Sequence, residues 1–162
     1  MNAHRCLTSF LKIFEKVIYN RLIQYINNNQ ILTAAQFGFR YKSSTDLAAY
    51  ALTHEILTTL NNIGGIFCDL HEAFDCVNHG ILLSKMEFYG IVGRTGNLIK
   101  SYLQNRYQRV MIKKDTVNYC SEWELITDGV PQGSVLGPLL FLLYINDLTN
   151  AISDLSAPIL FA

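Results

Sequence analysis

Residues 65–79 read Gly-Ile-Phe-Cys-Asp-Leu-His-Glu-Ala-Phe-Asp-Cys-Val-Asn-His and form the most informative part of the chain. The apolar residues 66–68 predict a short buried strand that ends at Asp69. A buried carboxylate must be paired, protonated or bound to a cation, because an isolated buried charge is costly. Hard cations such as Mg²⁺ prefer oxygen ligands of this kind. Asp69 is therefore a candidate cation ligand, and the alternative is that it caps the following helix.

A second informative stretch, residues 129–138, reads Gly-Val-Pro-Gln-Gly-Ser-Val-Leu-Gly-Pro. Its glycines allow backbone conformations that other residues resist, and they let a ligand approach the main chain closely. Gln132 lies between two of them, and its side-chain amide is able to hydrogen-bond a base or a sugar. The stretch is a candidate ligand-binding loop, although a purely structural loop that opens a helix has the same composition.

Helices and strands are mixed along the chain without strict alternation. Apolar spacing, capping residues and stop signals predict helices over residues 9–26, 44–61, 71–90, 97–106 and 134–151, with Gly90 ending the third and a kink near Pro138. Short apolar or alternating runs predict strands over residues 66–68, 107–113, 117–127 and 158–162. Together these elements predict one α+β domain with an antiparallel sheet.

The composition of the 162 residues, 50% hydrophobic and 16% charged, excludes a disordered chain. Net charge is +0, but residues 81–114 hold seven basic residues and one acid, and residues 115–162 hold six acids and no Lys or Arg. This asymmetry suits an anionic polymer bound beside a cation site, and the alternative is a solvated helix face. The longest apolar run is too short to span a bilayer, so no membrane association is predicted.

The cysteine pattern indicates a reduced, intracellular protein that is not secreted, because the four cysteines are widely spread and form no CxxC pair. The spacing of Cys68, His71, Cys76 and His79 superficially resembles a zinc site. Its geometry is poor, because Cys68 falls in the predicted strand while His71 belongs to the following helix. A small zinc-dependent interaction module is kept as an alternative.

Taken together, the motifs resemble those of a known family. Residues 65–79 resemble motif A of reverse transcriptases, and residues 129–141 resemble motif B, followed by Tyr-Ile-Asn-Asp-Leu at 144–148. Upstream, Gln-Phe-Gly-Phe-Arg at 36–40 resembles the fingers motif of the same group, and residues 14–22 match the helix that usually precedes it. The motifs follow the family's order over almost the whole chain, which therefore resembles the reverse transcriptase domain of a non-LTR (LINE-type, Jockey/CR1-like) retrotransposon.

The resemblance implies a partial right-hand polymerase fold, with fingers and most of a palm whose antiparallel sheet is flanked by helices. In that fold residues 1–64 belong to the fingers and residues 65–80 to the palm around motif A. Residues 81–128 connect back toward the fingers, and residues 129–162 are palm from motif B to the start of motif C. A thumb is expected to be absent from this chain.

The implied reaction is RNA-directed DNA synthesis, in which a primer 3′-hydroxyl attacks the α-phosphorus of a deoxynucleoside triphosphate and two Mg²⁺ ions stabilise the oxygens. The implied partners are an RNA template, a DNA primer and deoxynucleoside triphosphates. No obligate protein partner is inferred. The expected location is the nucleus, the cytoplasm or both.

The resemblance also assigns roles to individual residues. Asp69 is the catalytic carboxylate and a ligand of Mg²⁺, and Phe74 is the gate that would collide with a ribose 2′-hydroxyl. Contacts with the nucleotide and template are implied for Leu70, Phe74, Gln132, Gly133 and, at the triphosphate, Arg40. Contacts with the nucleic-acid backbone, which need only positive charge, are implied for Arg106, Arg109, Lys113 and Lys114. Asp75 matches a family position, and we expect a structural role for it.

One departure from the family decides what the chain is expected to do alone. The family's motif C is a short strand that ends in Ala-Asp-Asp. The sequence of this chain stops at Leu160-Phe161-Ala162, where the aspartate pair would begin. One carboxylate cannot hold two divalent cations, so the Mg²⁺ site is expected to be incomplete and the isolated chain inactive. The alternative is a decayed, non-catalytic relic that retains weak nucleic-acid binding.

Overall fold

The computed structural model describes residues 9–59, 64–114, 117–152 and 156–161. Within these residues four helices are followed by four short antiparallel strands and then by a further helix, so the α+β class is confirmed. The helices are α1 (Ser9–Asn28), α2 (Thr45–Thr58), α3 (His79–Phe88), α4 (Gly93–Leu103), α5 (Gly137–Ile145) and a short 3-10 helix, Leu148–Ala151. The strands are β1 (Arg106–Gln108), β2 (Met111–Lys114), β3 (Val117–Cys120) and β4 (Glu124–Ile126).

The first two predicted helices are confirmed because their end signals are local. Ser44 caps α2, and its side chain accepts a hydrogen bond from the Leu47 amide. The stop signal of α3 is also confirmed. Gly90 has a φ of +77°, and the Ile91 amide returns to the Met86 carbonyl at 2.8 Å.

Three helix boundaries differ from the prediction. Residues 71–76 form turns, because α3 starts only after Asn78, whose side chain caps it. Helix α4 lies a few residues upstream of the predicted 97–106. Pro138 does not kink a longer helix. It lies in the first turn of α5, where its missing amide hydrogen costs nothing.

The predicted strand at residues 66–68 is wrong. Residues 64–70 are irregular and exposed, with Ile66 at 92% and Phe67 at 84% exposure. The predicted strand at 158–162 is reduced to one isolated parallel bridge between Gln36 and Leu160, and Ala162 lies outside the described residues. The expected antiparallel palm sheet is therefore not formed within the described chain, because neither segment finds a neighbouring strand.

The strands instead form a two-stranded ribbon, residues 106–114 and 117–126. Strand β1 pairs with β4 and β2 pairs with β3, both antiparallel, as the prediction for 107–113 and 117–127 required. The register changes by one residue between the two ladders, because 121–123 lie opposite 109–110, as in a β-bulge. Ser121 stabilises the interruption: its amide donates to the Val110 carbonyl and its Oγ accepts from the Val110 amide, both at 2.9 Å.

The core surrounds α5, whose residues 139–143 are all buried. Helices α3 and α4 pack around it with Leu82, Met86, Ile99 and Leu103, and α1 contributes Leu22 and Ile26. Each such side chain stabilises the fold by about 1.5–3 kcal/mol through burial. Because α5 is enclosed, the loop at its N-terminus is held against the helices around it. Of the helices in the described part, none is long and apolar enough to cross a membrane.

Candidate functional site

The end of the first informative stretch packs directly against the start of the second. The Gly129 amide donates to the Val77 carbonyl, and the Val130 amide donates to the Phe74 carbonyl, each at 2.8 Å. We call residues 129–136 the B loop. These two bonds join segments more than 50 residues apart, and they place the B loop beside the turn that carries Phe74 and Asp75.

Two side-chain contacts reinforce this junction. The Asn78 amide donates to Asp128 Oδ1 at 2.9 Å. His79 is buried, and its Nε2 lies 2.8 Å from the Gly129 carbonyl. A carbonyl oxygen only accepts, so Nε2 carries the proton in this contact. His79 therefore fixes the main chain at the entry of the B loop.

The junction requires a glycine at position 129. Gly129 has a φ of +86°, a conformation that other residues rarely adopt. A Cβ atom there would lie 2.9 Å from the carbonyl oxygen of Asp75 and 3.1 Å from its Cα. Both atoms belong to the backbone and cannot move aside easily. The close approach of the two segments therefore depends on the absence of a side chain at this position.

Gln132 and Gly133 lie on the exposed side of the B loop. The side-chain amide nitrogen of Gln132 donates to Asp75 Oδ2 at 3.0 Å. Asp75 therefore holds the Gln132 side chain, which was predicted from the sequence to contact a ligand. This contact leaves the Gln132 carbonyl oxygen as an acceptor toward solvent. Gly133 has a φ of +76°, and nothing lies within 4 Å of where its Cβ would be.

Phe74 is half-buried between two other aromatic rings. It stacks on the buried ring of Phe141, with centroids 4.9 Å apart, and Phe39 meets it edge-on at 5.9 Å. Such pairs stabilise a ring beyond simple burial and fix its orientation. Phe39 comes from the fingers motif and Phe141 from α5, so Phe74 connects three of the predicted motifs.

Asp69 and Leu70 lie on the irregular segment 64–70 and are both exposed. Within the described residues, Asp69 makes no hydrogen bond or ion pair, so the expectation that it ends a buried strand is wrong. No group of three or more His, Cys, Asp or Glu side chains in the described chain is arranged to hold a metal ion. The described residues therefore do not fit a complete Mg²⁺ site, and Asp69 is a single exposed carboxylate.

The same result removes the zinc alternative for the part of the chain that the structure describes. Cys68 and Cys76 are exposed and make no disulfide, and His79 already uses Nε2 on the Gly129 carbonyl. These side chains do not converge.

Arg40 is half-buried, and its guanidinium donates to the Thr33 carbonyl at 2.8 Å. The Thr33 amide in turn donates to Asn146 Oδ1 at 2.8 Å, and Asn146 Nδ2 donates to the Ile31 carbonyl. Asn146 follows α5, so the fingers motif is fastened to the end of the central helix. Part of the Arg40 guanidinium is thereby used within the protein, and its remaining N–H groups are the ones able to meet a ligand.

The predicted basic contacts are spread along the ribbon. Arg109 and Lys113 are exposed, and the Arg109 guanidinium lies over the Trp123 ring, 4.6 Å from its centroid. Arg106 is half-buried. Lys114 belongs to β2, and its side chain lies outside what the structure describes. The ribbon also exposes aromatic rings, among them Tyr119 and Trp123.

One residue that sequence reasoning missed is Glu15 on α1, which is only 2% exposed. Its Oε2 accepts from the Val135 amide at 2.6 Å, and its Oε1 accepts from the Tyr102 hydroxyl at 2.8 Å. Burial, more than the neighbouring carboxylate, raises the pKa of Tyr102 well above its usual range. The missed signal was spacing, because Glu15 lies 7 and 11 residues before the buried Leu22 and Ile26, on the same helix face.

The comparisons with known proteins agree with these motifs. Residues 2–161 match the reverse transcriptase (RNA-dependent DNA polymerase) family. The chain belongs to this family, whose members use divalent metal ions.

Curated relatives place the chain more narrowly. It is 36% identical over 151 residues to a probable RNA-directed DNA polymerase from transposon BS of Drosophila melanogaster, covering 88% of this chain. It is 34% identical over 145 residues to the corresponding X-element protein, and 33% identical over 145 residues to the RNA-directed DNA polymerase from mobile element jockey, both from the same fly and both covering 88% of this chain. The chain is thus a reverse transcriptase domain segment related to those of non-LTR retrotransposons, as the motifs predicted. It spans only 15–16% of the length of these relatives.

Proposed function

We propose that this chain is part of an RNA-directed DNA polymerase that copies a retrotransposon RNA by adding deoxynucleotides to a DNA primer. The observation that carries the proposal is the direct packing of the Phe74–Asp75 turn against the B loop. That packing puts an aromatic ring, a side-chain amide and a glycine backbone on neighbouring segments, and such a mixture of apolar and polar groups suits a small-molecule site. Copying of such an RNA takes place inside the cell, so we also propose an intracellular location.

The proposed domain plan assigns residues 1–64 to the fingers and residues 65–80 and 129–162 to a right-hand palm, with residues 81–128 connecting them. The aromatic contact of Phe39 with Phe74 supports it, because it joins the proposed fingers to the proposed palm. So does the anchoring of the Thr33 amide by Asn146.

Within this plan the residues have separate tasks. The ring of Phe74 is braced on both sides, so it presents a fixed edge that excludes a ribose bearing a 2′-hydroxyl. Gln132 and Gly133 lie along the nucleotide and template, and Leu70 is assigned a nucleotide contact by the family motif alone. The free N–H groups of Arg40 meet the triphosphate, since guanidinium groups suit phosphate oxygens. Asp75 has a positioning role, because it holds the Gln132 amide.

Asp69 is proposed as the carboxylate that serves the divalent ions of this family. A single carboxylate does not hold two such ions against water and their mutual repulsion, and the described residues supply no cluster to assist it. We therefore propose that residues 1–162 alone do not polymerise. Further carboxylates would come from sequence that continues beyond motif B in a complete domain.

Primer extension tests this proposal. We expect the purified 162-residue chain to add no deoxynucleotides to a DNA primer on an RNA template with Mg²⁺. We expect a chain continued through an Asp-Asp motif and a thumb to extend the same primer. Incorporation by the short chain contradicts the proposed inactivity, and absence of incorporation by the continued chain contradicts the polymerase assignment.

A non-catalytic relic that binds nucleic acid is the second candidate function, and the exposed basic and aromatic residues of the ribbon favour it. Both candidates require the ribbon to contact a polyanion. Its side chains Arg109 and Lys113 are exposed for phosphate contacts. The two functions are separated by the primer-extension result for the continued chain.

Reversing charge on the ribbon should weaken nucleic-acid binding. We expect the double variant R109E/K113E to bind a labelled RNA–DNA duplex more weakly and to lower the slope of log affinity against log salt by about 2, one for each lost phosphate contact. Fluorescence anisotropy at several salt concentrations measures both. The variant K12E/K16E is the control, because it makes the same charge change at exposed positions of α1. Equal losses in the two variants would show that the ribbon is not the contact surface.

A further inference from the structure

Hydrogen bonds to Asp75 and His79 hold the N-terminal part of the B loop, which we call its front. A hydrogen bond to Glu15 holds its C-terminal part, which we call its rear. The Glu15 carboxylate reaches the Val135 amide at 2.6 Å, two residues after Gly133. This is a charge-assisted bond to the main chain, about twice as strong as a bond between neutral groups. It bridges 120 residues of sequence and joins α1 directly to the loop that carries Gln132.

Tyr102 completes the arrangement from α4. Its hydroxyl donates to Glu15 Oε1 at 2.8 Å, so the two carboxylate oxygens have separate partners and the side chain cannot rotate freely. A carboxylate that is 2% exposed is costly to bury, so these bonds are needed to offset its lost hydration. A leucine or methionine at this position on the apolar face of α1 would avoid that cost. The polar side chain therefore has a task that simple packing does not explain.

We infer that Glu15 is a positioning residue of the polymerase, which holds the rear of the B loop so that Gln132 and Gly133 keep their place along the nucleotide. The inference rests on the proposed function. Glu15 touches neither nucleotide nor reacting atoms, and it acts through the Val135 amide. Loss of its carboxylate leaves the front of the loop bound to Asp75 and His79 and frees the rear to move.

Kinetics of a continued, active chain test the inference. We expect E15A to raise the KM for deoxynucleoside triphosphate about tenfold with a smaller change in kcat, because a misplaced contact weakens nucleotide binding first. We expect E15Q to restore most of the loss. Its amide oxygen accepts from the Val135 amide, and its amide nitrogen donates to the Tyr102 oxygen.

L22A is the matched control, because it truncates another buried side chain of α1 whose role is hydrophobic packing. It should lower stability and leave the KM unchanged. An equal KM increase in E15A and L22A overturns the inference, as does an unchanged KM in a folded E15A. If E15A does not fold, the variant Y102F is used as the test. A KM increase that is smaller than the one expected for E15A, at similar kcat, supports the inference, and an unchanged KM overturns it.

A second readout does not depend on activity. Amide hydrogen exchange over residues 130–136 should be faster in E15A than in L22A at equal overall stability. If the continued wild-type chain lacks activity, the proposed function fails and this exchange experiment still tests the role of Glu15. Equal exchange in the two variants overturns the inference.

Discussion

Replacement of Asp69 by alanine, in a chain continued to a complete polymerase, is expected to lower the rate of deoxynucleotide incorporation at least about a thousandfold, or about 4 kcal/mol of transition-state stabilisation. The physical reason is that the family's divalent ions need carboxylate ligands, and we propose Asp69 as one of them. Single-turnover primer extension with saturating nucleotide measures the effect. The folded state should be nearly unaffected. Asp69 is exposed and unpaired within the described residues, so we expect a stability change of less than about 0.5 kcal/mol.

Glu72 provides the matched control for this result, because it is an exposed acid three residues later, in the turns at residues 71–76. The variant E72Q should retain activity within about twofold, since surface substitutions away from a site have small effects. If D69A and E72Q behave alike, Asp69 does not have the role that the family motif assigns to it.

Replacement of Gly129 by alanine is expected to be the most destabilising single substitution at the junction, costing about 3 kcal/mol or more. The left-handed backbone alone costs an L residue about 1–2 kcal/mol. The added Cβ would also meet backbone atoms of Asp75 at 2.9 and 3.1 Å, which forces the two segments apart. Separation weakens the bonds to Val77 and His79, each worth about 1 kcal/mol. Urea unfolding followed by circular dichroism measures the change.

The variant G133A distinguishes the cost of the positive φ from the cost of the steric contact with Asp75. Gly133 has a similar positive φ of +76°, but nothing lies within 4 Å of its missing Cβ. The variant G133A should therefore show only the conformational cost, about 1–2 kcal/mol. Equal destabilisation by G129A and G133A would mean that the close approach to Asp75 contributes nothing to the fold.

The elements that local chemistry specifies were predictable from the sequence. Helices α1 and α2 follow from apolar spacing and a side-chain cap, and the stop at Gly90 follows from backbone freedom. The ribbon was predictable as an antiparallel pair, because its strands are adjacent in sequence. Its bulge was not, since the one-residue change of register depends on how Ser121 meets Val110.

The strand that was predicted at residues 66–68 shows the limit of prediction from local sequence. An apolar run is stable as a strand only when a partner strand satisfies its amides and covers its side chains. No strand in the described chain lies beside it, so Ile66 and Phe67 stay exposed. The start of α5 is equally hard to predict from local sequence, because Pro138 is compatible both with a kinked helix and with the first turn of a helix. Only the packing around the B loop decides between them.

The candidate site was partly predictable, through motif types more than through geometry. The sequence selected Phe74, Gln132 and Gly133, but not the contacts that hold them, which come from Phe141, Asp75 and Glu15. In the sequence of α1 alone, Glu15 has the character of a charged residue that faces solvent. Its burial depends on helix and loop segments that follow more than 80 residues later, and pattern analysis of α1 alone does not include them.

The long reach of the Glu15–Val135 bond has a consequence for how the protein is made. The two residues are 120 positions apart, so a ribosome adding 5–20 residues per second needs about 6 to 24 seconds to produce the second after the first. Throughout that interval the Glu15 carboxylate lacks the backbone amide that it binds in the folded protein. The bond that joins α1 to the B loop therefore forms long after α1 itself has been synthesised.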